Sequence, residues 1–583
     1  MHIFLLCSAF NGLSQRFFVE LTDAGHQVTV EVFTGDDALE QRLAANPPDI
    51  IVAPFLKRAI PDCVWQRFRC FILHPGIVGD RGPSSLDWAI LEGWHEWGVT
   101  LLEANAVMDA GNIWATRTFP LPPMAKSQIY RHRVTDAAVA CLWELIEKLQ
   151  RGQQHGAQLD YSRATTRGRE RAMLPMRVRT LDWQCDPTDL LLRKIRASDS
   201  LPGAPAQLAG VPVRVFNAWQ AEAAVASQRG RAGEIFARDG DALCVATLDG
   251  ALWIGHLRRS DDHACAQVKL PAAVALRDEL AAYASLPVLD ARHPNKPWLE
   301  TRGRVAILHF PLLNGAFTVH DSQILTTLFA RAAADSSVDA IVLAGGDDFW
   351  SNGIELNSIH VADNPAEEGW ASINAIDDFA EAILTCRDKL VISAVNANAG
   401  AGGAMLMLAA DRVFMRAGVV INPHYKTMGL HGSEFWTLTL PWRADAEAAV
   451  ALSENCLPIS ARQAAALGLV DSVLDIPREA FLETVVSHAS AMIAPAALPD
   501  SLKAKARAQE AMRRGRPLDA YRREELSRMR GNFFADDLHF SSRRTAFVMK
   551  QPPCQTPEHL QRHNAAVAAH LAGLRRDKSE EEV

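Results

Sequence analysis

The sequence predicts a multidomain α/β protein: a parallel-sheet unit, then a small β-barrel, then a second α/β unit with C-terminal helices. Three observations predict it. Short apolar strand signals alternate with helical stretches near the start of the chain. Four short strand signals without helices follow, three of them at roughly ten-residue spacing. Strand–helix alternation then returns with glycine-rich loops after the strands. The length, 583 residues, leaves room for about three to four domains.

Residues 2–7 read as a buried strand, and 14–24 carry helical apolar spacing that Gly25 stops. Strands are expected at 27–33, 49–54, 71–73 and 98–103. Alternation of this kind implies a parallel sheet with its ligand at the carboxyl ends of the strands. The polar stretch 163–171 reads as a linker. Strand signals at 211–215, 233–237, 242–246 and 251–257 make the barrel, and the proline-containing run 287–302 reads as a domain boundary. In the third segment strands are expected at 304–310, 340–344 and 389–395, with helices around 322–334 and 371–385. From about 477 the chain becomes helical and charged. Residues 503–530 read as a solvated amphipathic helix, with a phosphate-contacting element as the alternative, and 575–583 as a disordered tail. The domains are therefore placed at 1–165, 175–286, 300–480 and 481–583.

Composition excludes several classes. Hydrophobic residues at 48% and charged residues at 22% rule out a largely disordered chain. A net charge of −8 is no footprint for nucleic acid. No apolar run approaches the ~18 residues a bilayer span requires, so no membrane partner is expected. The first sixteen residues lack a basic n-region and read as a strand and its loop. The 10 cysteines are scattered and none lies in a CxxC pair, which points to reduced thiols in a cytoplasmic protein and to no metal site.

The first chemical constellation is His74-Pro75-Gly76, Arg81-Gly82, Gly98-Val99-Thr100 and Met108-Asp109-Ala110-Gly111. A His and an Asp on neighbouring loops can form an acid/base pair, with the carboxylate orienting an imidazole that moves protons or holds a developing oxyanion. This segment resembles the 10-formyltetrahydrofolate-dependent formyltransferases, such as methionyl-tRNA formyltransferase. Arg193-Lys194-Ile195-Arg196, Pro202-Gly203 and Gly233-Glu234-Ile235 are similar to that family's C-terminal barrel. The resemblance implies that His74 and Asp109 are catalytic. It implies that Phe55, Leu56 and the loop Asp109, Ala110, Gly111, Asn112 hold the pterin. Gln15 and Arg81 would position the formyl group or an acceptor arm. The family's Asn two residues before the His is Ile72 here, which removes an oxyanion donor and points to a rebuilt acceptor side.

The second constellation comprises two loops that follow strands, residues 344–356 and 394–404. Glycines there let backbone approach a ligand, and amides from two such loops can converge on a thioester oxygen. Together they resemble the crotonase (enoyl-CoA hydratase/isomerase) superfamily. The resemblance implies oxyanion amides at Asn352 and Gly402, beside Gly353 and Gly403. Both hydratase carboxylates are replaced, by Met405 and by His424 after Pro423, so hydration of an enoyl-CoA is not expected. Tyr425, one of 5 tyrosines, and Glu434 are the candidate proton-handling groups. The plainer reading is a packed Tyr and a helix start at Ser433-Glu434.

The fusion of a folate–formyl module with a CoA–thioester module resembles the HypX/HoxX family of hydrogenase maturation factors. That resemblance implies carbon monoxide formation. The formyl group of 10-formyltetrahydrofolate passes to coenzyme A, and formyl-CoA then releases CO for the iron of [NiFe]-hydrogenase. The implied partners are small-molecule substrates and hydrogenase maturation proteins or the hydrogenase large subunit. Arg131, Arg543 and Arg544 are candidates for CoA phosphate contacts, with plain surface arginines as the alternative. Two other functions stay open: a formyltetrahydrofolate hydrolase or formyltransferase to another acceptor, and a non-catalytic folate- and CoA-binding maturation scaffold.

Overall fold

The structure is a computed structural model that describes residues 1–263, 265–281, 286–289, 294–513 and 515–581. The chain forms two compact units. One comprises Met1–Phe18, His26–Arg292 and Pro553–Val583, the other Val19–Gly25 and His293–Pro552.

The first unit is built on β1 (His2–Cys7), β2 (Gln27–Val32), β3 (Ile50–Phe55), β4 (Cys70–His74), β5 (Glu96–Glu103) and β6 (Ile113–Pro120), in the order β2-β1-β3-β4-β5-β6. All six residues of β1 are buried, as a continuous apolar run in a central strand requires. β1 to β4 are parallel. β5 runs antiparallel to β4 and β6 antiparallel to β5, so the parallel core carries an antiparallel extension. The stretch expected as a linker at 163–171 is instead fastened to the loop after β4. Gly168 N donates to Val78 O (3.0 Å), and the Arg171 amide to Arg81 O (3.0 Å). Its polarity serves backbone pairing rather than a free connection.

The expected barrel takes the form of six antiparallel strands: Ala204–Leu208, Val211–Gln220, Ile235–Asp239, Ala242–Ala246, Ala251–Arg259 and Lys269–Pro271. Among the described residues its two end strands, Ala204–Leu208 and Ile235–Asp239, do not pair with each other. The expected boundary at 287–302 lies partly outside the described residues.

The C-terminal helix Glu558–Glu581 belongs to the first unit, where it closes the edge of β2. The Asn564 side chain accepts from Val30 N (2.9 Å) and donates to Val30 O (2.7 Å), standing in for a neighbouring strand. Thr556 Oγ1 accepts from Val32 N (3.0 Å). The helix occupies most of the expected tail, and residues 582 and 583 lie outside the described residues.

The second unit centres on a six-stranded sheet in the order Trp298–Arg302, Val305–His309, Ala340–Gly345, Leu390–Val395, Arg412–Arg416, Ser472–Leu474. Only the first pair is antiparallel. Successive side chains alternate between two buried faces. Leu308, Leu343, Val391 and Met415 enter one cluster; Ile307, Val342, Ile392 and Phe414 enter another under helix Arg478–Met492. The region read as one solvated helix is two helices, Leu498–Arg513 and Leu518–Arg530. Their charges are not all solvated. Lys505 Nζ donates to Asp411 Oδ2 (2.7 Å) and to Lys389 O (2.6 Å), and Glu525 is fully buried.

Replacing Asn564 by Ala strips both hydrogen-bond partners from the buried backbone of Val30. Loss of about 1–3 kcal/mol is expected for the first unit's unfolding transition in a urea titration. An unchanged midpoint would show that the edge needs no partner.

Candidate functional site

In the first unit the site grows from the end of β4. The turn His74-Pro75-Gly76 is pinned by three bonds: Ser85 Oγ to Pro75 O (2.8 Å), Trp97 Nε1 to Pro75 O (3.0 Å) and Thr100 Oγ1 to Gly76 O (2.8 Å). These hold the buried His74 ring between two carboxylates. Nε2 lies 2.9 Å from Asp80 Oδ2, and Nδ1 lies 3.5 Å from Asp109 Oδ2. Asp80 is 2% exposed, so the Nε2 side is closed. Asp109 adopts a left-handed conformation (φ 56°) that turns its carboxylate back toward the ring, where it also accepts from Gly82 N (3.2 Å). The arrangement fixes the ring on one nitrogen and leaves a looser, more accessible contact on the other. That is the geometry of an oriented general acid/base.

Around this pair, Phe55 ends β3 and Leu56 follows it, both half-buried. Ala110 and Asn112 are half-buried and Gly111 is buried. Gln15 lies on the first helix and its Nε2 donates to Phe10 O (2.9 Å). Arg81 pairs with the exposed Glu170 (2.6 Å) beside the Tyr161 ring. Arg131 lies in a π-helical turn, Tyr130–Val134, where it donates to Ser127 Oγ (3.1 Å). Ile72 packs half-buried into the β-sheet core, a hydrocarbon with no donor to offer.

In the second unit the two glycine loops meet. Gly402 and Gly403 open the helix Gly402–Leu406, where the first amides have no intrahelical carbonyl to meet. A Cβ on Gly402 would lie 2.2 Å from Glu434 Oε1, and one on Gly403 would lie 2.1 Å from Ser351 O. A side chain at Gly403 would run into backbone, and one at Gly402 would displace the Glu434 carboxylate. Gly353 lies alongside, its own Cβ position 3.3 Å from Gly402 N. The Asn352 amide, expected as an oxyanion donor, is spent: it donates to Gly315 O at 2.7 Å. Strand pairing at the neck of the loop takes it, and the Gly402 amide is left as the available donor of the expected pair. Met405, at the place of a hydratase carboxylate, is fully buried in the core.

Tyr425 and Glu434 do come together. The Tyr425 hydroxyl donates to Glu434 Oε2 at 2.7 Å. Helix Trp436–Ala444 begins two residues after Glu434, so Ser433-Glu434 is not its start. Glu434 and Phe435 instead form a turn of two consecutive left-handed residues, φ 60° and 59°. Sequence reading missed its supports. Asp377 Oδ1 accepts from Ser433 Oγ (2.7 Å) and Glu434 N (2.8 Å). Glu525 accepts from Phe435 N (2.9 Å) and Thr437 N (2.8 Å). Burial pushes Asp377 up, and burial together with the nearby Asp377 charge pushes Glu434 up further. Burial and Asp377 likewise push Glu525 up to about 8. The Tyr425 hydroxyl is raised well above its ordinary value by burial and then by Glu434.

Arg543 is exposed and donates to Thr427 O (3.1 Å). Arg544 is not a surface arginine. It is 7% exposed, its guanidinium lies over the Phe540 ring, and burial lowers its pKa. Among the described residues no group of His, Cys, Asp and Glu is arranged to hold a metal ion, and no helix is long and apolar enough to cross a membrane.

Comparison with known proteins places both constellations. Residues 24–146 match the formyl transferase family, 176–270 the formyl transferase C-terminal domain, and 306–553 the enoyl-CoA hydratase/isomerase family. Hydrogenase maturation factor HoxX of Bradyrhizobium diazoefficiens is 42% identical over 563 residues, 96% of either chain. The chain belongs to the HypX/HoxX family of hydrogenase maturation factors. Two crystal structures of HypX from Aquifex aeolicus are similar throughout, each at 38% identity and TM-score 0.89. A variant covers 97% of this chain and 99% of its own; a complex with tetrahydrofolic acid covers 96% and 98%.

Membership of the HypX/HoxX family accounts for the fusion of the two folds but not for the missed carboxylates. Asp80 had a weak signal, an acidic residue between the His74 turn and Arg81-Gly82. Asp377 had a stronger one. It interrupts the apolar stripe Ile373, Ile376, Ala380, Ile383 of helix Pro365–Thr385, where a hydrocarbon is expected.

Because the folded state holds a proton on Glu525 up to about 8 while an unfolded chain releases it near 4.5, the folded state binds more protons across that window. Stability must then fall as pH rises through it. Glu525→Gln should therefore be most destabilising relative to the parent at pH 5 and least at pH 8, read as the difference in Tm. A pH-independent difference would contradict the raised pKa.

Proposed function

We propose that the protein makes carbon monoxide for [NiFe]-hydrogenase assembly in two steps, formyl transfer and decarbonylation. The single observation that carries the reading is the pairing, in one HypX/HoxX-family chain, of an oriented His74–Asp109 pair with a Tyr425–Glu434 pair beside Gly402. In the first step the thiol of coenzyme A attacks the formyl carbon of 10-formyltetrahydrofolate. The C–N bond breaks, the nitrogen takes a proton, and formyl-CoA and tetrahydrofolate result. His74 handles that proton through Nδ1, with the Asp80 bond at Nε2 orienting the ring and Asp109, 3.5 Å from Nδ1, stabilising the charge that develops there. Asp109, Ala110, Gly111, Asn112, Phe55 and Leu56 hold the pterin, with Gln15 and Arg81 at the formyl group or the acceptor arm. A thiolate is a strong nucleophile, which suits a site whose amide donor is replaced by Ile72.

In the second step the proton on the formyl carbon is removed, the C–S bond breaks, and CO leaves. The thiolate takes up a proton, so coenzyme A is regenerated. Glu434 is the base, and its raised pKa makes it a stronger one than an ordinary carboxylate. Tyr425 holds Glu434 by its hydroxyl. The Gly402 amide, with Gly353 and Gly403 keeping the approach clear, suits the thioester carbonyl. Burial of the whole cluster excludes the water that would give formate instead. Arg131 and Arg543 remain candidates for CoA phosphates; Arg544, buried against Phe540, suits packing better. None of the ten cysteines forms a disulfide, which suits a reducing cytoplasm. The receiving partner is a hydrogenase maturation protein or the large subunit.

Tetrahydrofolate release from 10-formyltetrahydrofolate tests the first step. It should require CoA and should fall by about 10²-fold or more in His74→Ala. Release at the same rate without CoA, with formate accumulating, would make the protein a hydrolase and overturn the reading. No release at all would make it a scaffold.

A further inference from the structure

Three carboxylates, Asp377, Glu434 and Glu525, are each at most 1% exposed, and they crowd around one turn. Only Glu434 has a part in the chemistry above. The other two come from separate helices, Pro365–Thr385 and Leu518–Arg530, and among the described residues neither bonds an arginine or lysine. Both instead accept from the turn itself, Glu525 through both oxygens and Asp377 through Oδ1 alone, its buried Oδ2 taking no hydrogen bond among the described residues. Asp377 takes the Glu434 amide and the Ser433 hydroxyl, and Glu525 takes the Phe435 and Thr437 amides and the Thr437 hydroxyl. Those amides belong to, or border, two consecutive non-glycine residues in the left-handed region, a conformation that costs of order 1–3 kcal/mol per residue and persists only where the surroundings over-determine it. The result is specific. With the turn so held, Glu434 Oε2 meets the Tyr425 hydroxyl and the Ser433 amide, while Oε1 rests on the α-carbon of Gly402. Buried carboxylates used merely as hydrogen-bond acceptors destabilise the fold by desolvation, and a hydrocarbon core would do better. Their presence calls for a function that the destabilisation serves.

We propose that Asp377 and Glu525 are positioning residues that clamp the Ser433–Phe435 turn so that the Glu434 carboxylate lies against Gly402, with Asp377 also acting on Glu434 across Ser433. This rests on the reading of Glu434 as the decarbonylation base. Asp377 does the second task through its charge and through Ser433 Oγ, which bridges the two carboxylates at 2.7 and 3.4 Å. The other ionisable groups bearing on the cluster are Tyr425 and Glu525, with Asp378 and Arg522 bearing on Asp377. Arg522 is tied to Asp378 (2.5 Å) and Glu381 (2.6 Å), so it does not neutralise Asp377 by contact.

The test uses the full-length protein and isosteric variants, Asp377→Asn, Glu525→Gln and Glu434→Gln. Two readouts are taken: CO formed from 10-formyltetrahydrofolate and CoA as a function of pH, and the infrared C=O stretch of buried carboxylic acid titrated without substrate. Glu434→Gln should abolish CO and remove one band. In Asp377→Asn the Glu434 band should titrate about one pH unit lower, with the rising limb of CO formation moving the same way. Glu525→Gln should lower CO formation about tenfold or more with tetrahydrofolate release unchanged. If CO formation and the band midpoint stay put in Asp377→Asn while Glu434→Gln abolishes CO, the clamp is overturned and the decarbonylation reading stands. If Glu434→Gln makes CO at the parental rate, that reading fails, and the band shift still decides whether Asp377 tunes Glu434. Should Asp377→Asn fail to fold, Ser433→Ala, which breaks the bridge alone, is expected to shift the band in the same direction; no shift would overturn the proposal.

Discussion

Burying several carboxylates around one left-handed turn is the constraint on which the second unit's site depends. A pair of non-glycine residues at positive φ is unfavourable by itself, and so is a carboxylate removed from water. Each defect answers the other here. The turn offers amides and a hydroxyl to Asp377 and Glu525, and the two carboxylates hold the turn where an ordinary loop would relax. Gly402 and Gly403 complete the arrangement, because any side chain at either would collide with Glu434 or with the Ser351 carbonyl. The glycines, the turn and the two supporting helices therefore specify a single position for one carboxylate.

The first unit solves the same problem with less strain. Its histidine is seated by a turn fastened to Ser85, Trp97 and Thr100, and one ring nitrogen is closed off by the buried Asp80. Both units keep the backbone of their parent folds and change the side chains at the chemistry. On the proposed reading, Ile72 stands where the formyltransferases carry an amide and Met405 where the hydratases carry a carboxylate, and Glu434 supplies a carboxylate from a different place in the sequence. A scaffold able to polarise a thioester carbonyl would be useful to more than one reaction, and the proposed base at Glu434 would select among them.

Much of this was legible from residue pattern. The alternating two-face burial of the second unit's sheet is written in runs such as residues 340–344 and 390–395, and His74, Asp109, Tyr425 and Glu434 stood out by type and setting. Three things were not. The Asn352 amide looked available because loop backbone carries no sequence label for its hydrogen bonds; only the fold reveals Gly315 as its acceptor. Arg544 and Lys505 looked like surface charges because helical stretches rich in both signs usually are, yet one stacks on Phe540 and the other pairs with Asp411. Asp377 and Glu525 were hidden for the opposite reason. A carboxylate on an apolar stripe reads as an isolated exception until a loop some fifty to ninety residues away in sequence brings it amides to accept.

The central claim is that the formyl carbon leaves as carbon monoxide. Supplying 10-formyltetrahydrofolate labelled with ¹³C in the formyl group, together with CoA, and following the label by infrared detection of headspace gas tests it most directly. The account predicts ¹³CO in amount equal to the tetrahydrofolate formed, with free CoA undiminished. Label recovered as formate, or held on CoA without gas release, would contradict it.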